Sequence, residues 1–246
     1  MPPTLPPSPP SPPATPTVGR AVAWLGGGVF VASLLYAAWW FTVVLATPAV
    51  GTVVPSTALV WNVTLFSMFA LHHSVMARSG AKRWLRHVVP PALERSSYVW
   101  VASLLFLAVC TSWQRVPGMV YRVQGVAAWL LVAVQLAGVG LTLAAARVLD
   151  GLELAGIRQA HGVVRPPAIR LVWPFTLVRH PIYLGWVLMV FGAAPMTLDR
   201  LVFAVTSTVY LLISMPWEER SLSAAAGPAY PAYCRQVRWR LLPGLY

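Results

Sequence analysis

Long apolar stretches separated by short arginine-bearing segments leave a chain of this kind little conformational freedom. Ala21–Ala46, Ser56–Ala77, Ser97–Trp113 and Val123–Ala146 are apolar runs, and a fifth run, Pro181–Trp217, is interrupted by Pro195, Asp199 and Arg200. A helix needs about 20 apolar residues to cross roughly 30 Å of hydrocarbon. Inside that layer every backbone N–H and C=O must find its partner within the segment, so the runs are helices. The interrupted run reads as a hairpin of two helices of about 17 residues, each barely long enough to cross at roughly 1.5 Å per residue. The expected fold is all-α, a polytopic transmembrane helical bundle of five or six spans. Composition agrees, because 58% of the residues are hydrophobic and 10% charged, whereas about a quarter are charged in soluble domains.

Met1–Thr17 is rich in proline and small polar residues and lacks the charged and apolar regions of a signal peptide. Residues 1–18 therefore read as a disordered proline-rich arm, and residues 19–246 as the membrane domain. A net charge of +12 would suit nucleic acid. The basic residues, however, sit in short clusters between spans, which is a topology signal and removes that reading. Six spans put fifteen of the 18 Lys and Arg on one side and Arg115, Arg122 and Arg200 on the other. The richer side is expected in the cytosol. Cys110 and Cys234 have no metal or redox spacing, and no metal is expected.

Two polar segments stand out on the basic side. Arg179-His180-Pro181-Ile182-Tyr183-Leu184-Gly185 places proline where a helix can begin, since its missing N–H would be unpaired there anyway. A helix amino end attracts a carboxylate or phosphate, His180 and Tyr183 can flank it, and Gly185 allows something to approach the backbone. About one hairpin later come Glu218 and Glu219, adjacent carboxylates at the end of an apolar run in a chain with 6 Asp and Glu. They suit a cation. A ligand with a carboxylate at one end and a cationic centre at the other answers both halves, and S-adenosylmethionine is such a molecule. A second constellation, His72-His73-Ser74 with Arg78 and Glu94-Arg95-Ser96, lies at the same depth. Adjacent histidines point about 100° apart on a helix and do not share one metal.

Arg-His-Pro-x-Tyr-x-Gly, then Glu-Glu-x-x-Leu, then Gly227, Tyr230 and Tyr233 at Gly-x-x-Tyr-x-x-Tyr spacing, resembles as an ordered set the isoprenylcysteine carboxyl methyltransferase-like integral-membrane enzymes and, more distantly, phosphatidylethanolamine N-methyltransferase. His73–Arg78, Lys82-Arg83-Trp84, Glu94-Arg95-Ser96 and Gly156-Ile157-Arg158-Gln159 resemble the bacterial methanethiol S-methyltransferase branch and its nitrite and nitric oxide reductase regulator neighbours. The resemblance implies S-adenosylmethionine as cofactor, contacted by Gln159, His180, Pro181, Ile182, Tyr183 and Glu218. It also implies a small thiol as methyl acceptor and a bacterial cytoplasmic membrane as the setting. Methylation of a lipid or prenylcysteine-type carboxylate, or a non-enzymatic regulator, are the alternatives. Ser214 stands where prenylcysteine enzymes hold a substrate-binding arginine, and the tail reads Val237-Arg238-Trp239-Arg240 where the wider family tends to have Arg-Val-Pro. A thiol must become a thiolate, which calls for His73 as base and Arg78 or Arg95 as nearby positive charge.

The asymmetry of the basic residues generates a direct test. Single cysteines at Ser79 and Ala168 in a cysteine-free background should resist an impermeant maleimide in whole cells, while one at Thr52 should react. Labelling at Ser79 from outside would invert the orientation.

Overall fold

The computed structural model describes residues 15–50, 55–76, 78–163 and 169–246. Most of the proline-rich arm, together with Thr52, Ala77 and Ala168, lies outside the described residues. Among the described residues five helices are long and apolar enough to cross a membrane, and the protein is a polytopic helical bundle. Helix α1 (Thr17–Trp39) continues into a π turn (Trp40–Val44) and is followed by α2 (Pro55–Met76), short α3 (Ser79–Leu85) and α4 (Glu94–Thr111). Strand β1 (Met119–Tyr121), helix α5 (Gly125–Val148) and two single turns, α6 (Gly151–Leu154) and α7 (Ile157–Ala160), come next. The chain ends with α8 (Pro181–Phe191), β2 (Met196–Thr197), α9 (Leu198–Ala226) and α10 (Ala229–Gln236).

The expected hairpin of two similar helices is corrected. Helix α8 has 11 residues and α9 has 29, so the described residues hold five helices of membrane-crossing length and one shorter apolar helix, α8. The segment after α8 is drawn out because β2 pairs antiparallel with β1, Met119 opposite Thr197. Asp199 and Arg200, read as an interruption, begin α9 instead. Asp199 is fully buried and accepts from Trp113 Nε1 (3.1 Å), Val116 N (2.7 Å) and Arg115 Nε (2.6 Å). Arg200 donates to the carbonyls of Phe41 (2.9 Å), Thr42 (2.9 Å) and Pro195 (2.5 Å). Helix ends leave carbonyls unpaired, and the Arg200 guanidinium takes those that the π turn frees. All of these contacts lie at the face opposite the basic one.

Thr15, inside the proposed arm, is buried and bonds Ala160 O through both its amide (3.2 Å) and its hydroxyl (2.9 Å), and α1 already starts at Thr17. Glu94 pairs with Arg86 at 2.7 Å. The segment between α5 and α8 carries α6 and α7, and Gly156 at φ 80° brings the chain onto α4, where Ser96 Oγ donates to Gly156 O (2.9 Å).

The core is aromatic and centres on Phe203. Its ring lies 5.3 Å from Trp40, 5.9 Å from Phe66, 5.7 Å from Trp113 and 5.9 Å from Trp186. Helices α5 and α8 meet at two glycines. A Cβ on Gly138 would stand 2.5 Å from Gly185 O, and one on Gly185 would stand 2.3 Å from Thr142 Oγ1 and 2.6 Å from Gly138 O. Small residues let membrane helices approach this closely. A side chain at either position forces the backbones apart, whereas a Cβ on Gly140 would meet nothing within 4 Å. Gly185→Val should therefore cost about 1–3 kcal/mol or more of stability and lower the thermal midpoint in detergent. Gly140→Val should leave it within error; equal midpoints for the two variants would remove the crossing from the account.

Candidate functional site

Helix α8 begins at Pro181 with His180 as its cap, as the proline position requires. The first bond of this helix start runs from Leu184 N to His180 O (3.0 Å), so the N–H groups of Ile182 and Tyr183 precede it. The tail lies beside this start. Arg179 N donates to Trp239 O (2.9 Å) and His180 N to Arg240 O (3.0 Å). The Arg238-Trp239-Arg240 departure from the wider pattern is thus where the tail docks.

Side chains converge above that backbone. Glu219 is buried and faces three cationic or titratable groups: Arg179 Nη1 at 3.2 Å, Arg240 Nη2 at 3.0 Å and His180 Nε2 at 3.4 Å. Glu218, whose side chain is 44% exposed, accepts from the Tyr183 hydroxyl at 2.5 Å, and its Oε2 lies 3.7 Å from His180 Nδ1. The His180 and Tyr183 rings stack at 5.2 Å and 21°. Helix α9 reaches this cluster through Pro216 in its interior. A proline there removes one helix bond, two residues before the acidic pair. Arg179 Nη1 also donates to Cys234 Sγ (2.9 Å). Below it Tyr233 donates to Phe175 O at 2.8 Å. Burial pushes the Tyr233 hydroxyl up to about 12, and burial, then Glu219, raises that of Tyr230. Both stay protonated at neutral pH.

Deeper in the bundle an apolar cavity of about 310 Å³ opens between α1, α2, α4, α8 and α9. Its walls are mostly aromatic, among them Phe66, Phe69, Phe106 and Trp186, and its polar end holds His73, Arg95 and Tyr98. Ile182 and Tyr183 form part of the wall. The Tyr98 oxygen lies 2.5 Å from His73 Nδ1, the Arg95 guanidinium sits 5.0 Å over the Tyr98 ring, and Arg95 Nε donates to Leu154 O (3.1 Å). Ser74 Oγ and Tyr210 OH are 3.0 Å apart beside them.

The residues singled out in the sequence separate into groups. His180, Pro181, Ile182, Tyr183, Glu218 and Glu219 come together in one cluster, and His73 and Arg95 share the cavity. Arg78 does not line it, and stacks instead on Trp217 at 5.0 Å, with Arg220 at 4.8 Å on the same ring. What approaches the Gly185 backbone is Gly138 and Thr142 of α5, so this glycine serves a helix crossing. Gln159 sits on α7 with its Nε2 3.4 Å from Glu153 O and its Oε1 buried without a hydrogen-bond partner among the described residues. Sequence reasoning missed Tyr98, Trp186 and Tyr210. Tyr98 was within reach, because Arg95 and Tyr98 at i, i+3 share a helix face. Among the described residues no group of three His, Cys, Asp or Glu side chains could hold a metal.

The arrangement sets an ionic cluster at the start of α8, with Glu218 partly exposed, against an apolar chamber with His73 and Arg95 at one end. Relatives are consistent with that chemistry. Methanethiol S-methyltransferase 2 of Bradyrhizobium diazoefficiens is 38% identical over 194 residues, 77% of this chain and 74% of the relative. Methanethiol S-methyltransferase of Mycobacterium tuberculosis is 38% identical over 195 residues, 76% and 78% of the two chains. Nurim of Bos taurus is more distant, 28% identical over 178 residues, 67% and 68% of the two chains. No protein-family model matches the chain, and no solved structure matches it. On the strength of those relatives, the chain belongs to the methanethiol S-methyltransferase family of integral-membrane thiol methyltransferases.

Proposed function

We propose that the protein transfers the methyl group of S-adenosylmethionine to methanethiol, giving dimethyl sulfide, with its donor site at the cytosolic face of a bacterial cytoplasmic membrane. One observation carries this reading. Tyr183 belongs to both halves of the site, its hydroxyl on Glu218 and its ring in the cavity wall. Donor and acceptor pockets therefore share one side chain.

The residues present fit the donor. Its carboxylate suits the N–H groups of Ile182 and Tyr183 and the positive end of α8. Its cationic end suits Glu218, whose carboxylate is partly exposed and oriented by Tyr183, and Gln159 offers a buried oxygen unpartnered among the described residues. When bound, the donor supplies an electrophilic sulfonium methyl. The chain does the rest. Aromatic walls hold an apolar acceptor and exclude water, so that alignment accounts for much of the rate. The Tyr98 oxygen lies 2.5 Å from His73 Nδ1 and 3.2 Å from Nε2; in the tautomer that carries its proton on Nδ1, Nε2 holds the lone pair that takes the thiol proton. Arg95 stabilises the thiolate. Arg78, outside the cavity, has no part in this step. The carboxylate-methylating alternative lacks support, because Ser214 supplies no cation and turns its hydroxyl back to Leu211 O (3.0 Å).

Calorimetry in detergent should show S-adenosylmethionine binding weakened about 10- to 100-fold in His180→Ala, Tyr183→Phe and Glu218→Gln, the scale of a lost charge-assisted hydrogen bond. His73→Gln should keep binding and lower kcat by roughly 10²- to 10⁴-fold, with Tyr98→Phe intermediate. Headspace gas chromatography of cells fed methanethiol reads the activity directly. Dimethyl sulfide no higher than in an empty-vector control would sink the assignment, and unchanged affinity in all three variants would put the donor elsewhere.

A further inference from the structure

The cavity is much larger than the acceptor just proposed. Methanethiol has two heavy atoms, whereas a cavity of about 150 Å³ lined by apolar side chains already holds benzene. The chamber between α4, α8 and α9 is about 310 Å³, enough for roughly six carbons together with the reacting sulfur and methyl.

Its shape follows from the helices that line it. Tyr98 and Phe106 are both on α4 and both in the wall, eight residues apart, which is about 12 Å along the axis. His73 and Phe66, on α2, are separated by seven residues, about 10 Å, and both also contribute to the wall. The chamber is therefore elongated. Its charged and imidazole side chains, Arg95 and His73, lie towards the basic end, and Phe66, Phe106 and Trp186 line the other. An acceptor whose sulfur lies beside His73 has about 10 Å of apolar channel behind it. A charged or strongly hydrated tail would lose its water there without replacement, while an alkyl or phenyl tail would bury its whole surface.

We infer that the acceptor range of this protein extends to apolar thiols of about six carbons, linear or aromatic, with the sulfur at His73 and Tyr98 and the tail directed along α4 towards Phe106. This inference rests on the methyl-transfer reading above and names its substrate class. The reaction balances as before. The sulfur–methyl bond forms as the donor's methyl–sulfonium bond breaks, the electron pair stays on the donor sulfur to leave a neutral thioether, and the thiol proton passes to His73 Nε2.

The test uses the purified full-length protein in detergent with S-adenosylmethionine and a series from methanethiol to octanethiol, benzenethiol and 3-mercaptopropionate. Each methylene that enters the channel should raise kcat/KM about fourfold, from roughly 0.8 kcal/mol per buried CH₂, to a maximum near hexanethiol. Benzenethiol should react and the carboxylate should not. Thiols also partition into micelles in proportion to chain length, so the deciding quantity is a ratio between variants in one detergent. Ser103→Phe, which grows into the channel five residues beyond Tyr98 on α4, should lower the hexanethiol-to-methanethiol ratio of kcat/KM at least tenfold. Phe106→Ala, which opens the far end, should move the optimum to longer chains, and it serves if the first variant fails to fold. A wild-type profile that falls from methanethiol onwards, or one that neither variant changes, overturns the inference while leaving the methanethiol reading intact. Absence of turnover with methanethiol itself would instead overturn that earlier reading.

Discussion

Glu219 is a carboxylate buried at the rim of a membrane protein, and the working end of the molecule is arranged to make that tolerable. An uncompensated buried charge is strongly destabilising. Here three groups from two separate segments face it, Arg179 and His180 before α8 and Arg240 in the tail. The last ten residues are thereby fixed against the start of α8, and backbone bonds from Arg179 and His180 to Trp239 and Arg240 complete the junction. Since Glu219 is satisfied by the protein itself, the neighbouring Glu218 is left partly exposed. Two adjacent acids thus have two environments, one enclosed by cationic side chains and one partly exposed beside Tyr183.

The opposite face repeats the logic with the signs reversed. Asp199 and Arg200, both buried, do not pair with each other but with the ends of other elements. Arg200 gathers carbonyls from the π turn after α1, while Asp199 gathers donors from the segment after α4. One short stretch of α9 therefore ties two connections, and the β1–β2 pairing adds a third. Between these two polar junctions the bundle contains aromatic packing around Phe203 and the apolar chamber beside it. Rigid ends leave the middle free to hold a cavity that side-chain packing alone would tend to close.

Most of this architecture was legible in the sequence, for physical reasons that differ by element. The long spans follow from apolar length, and the start of α8 follows from Pro181. The length of α8 was not legible, because it depends on β2 pairing with β1 and on Arg200 finding the Phe41 and Thr42 carbonyls, contacts across about 75 to 160 residues of sequence. Apolar periodicity carries no information about either. The site was legible as a set of residue types, but their partners were not. Gly185 reads in a motif as room for a ligand, and only the approach of α5 shows that the room is filled by Gly138. Arg78 and Arg95 are indistinguishable as arginines near a helix end. Trp217 takes the first, while the second is held by Leu154 O beside Tyr98.

The division of the site into an ionic and an apolar half bears on why this chemistry sits in a membrane protein at all. A charged methyl donor is soluble and needs polar contacts, whereas an apolar thiol concentrates in hydrocarbon. A single aqueous pocket would suit the first and a single lipid-facing groove the second. Tyr183 resolves the conflict structurally, since its hydroxyl stays with Glu218 at the rim while its ring faces the chamber. Aromatic side chains with one polar atom suit such boundaries. Tyr98 and Tyr210 line the same chamber, and their hydroxyls bond His73 and Ser74 respectively. Three tyrosines from α4, α8 and α9 therefore mark the depth at which the polar half of the site gives way to the apolar half, the depth to which the proposed reaction assigns methyl transfer.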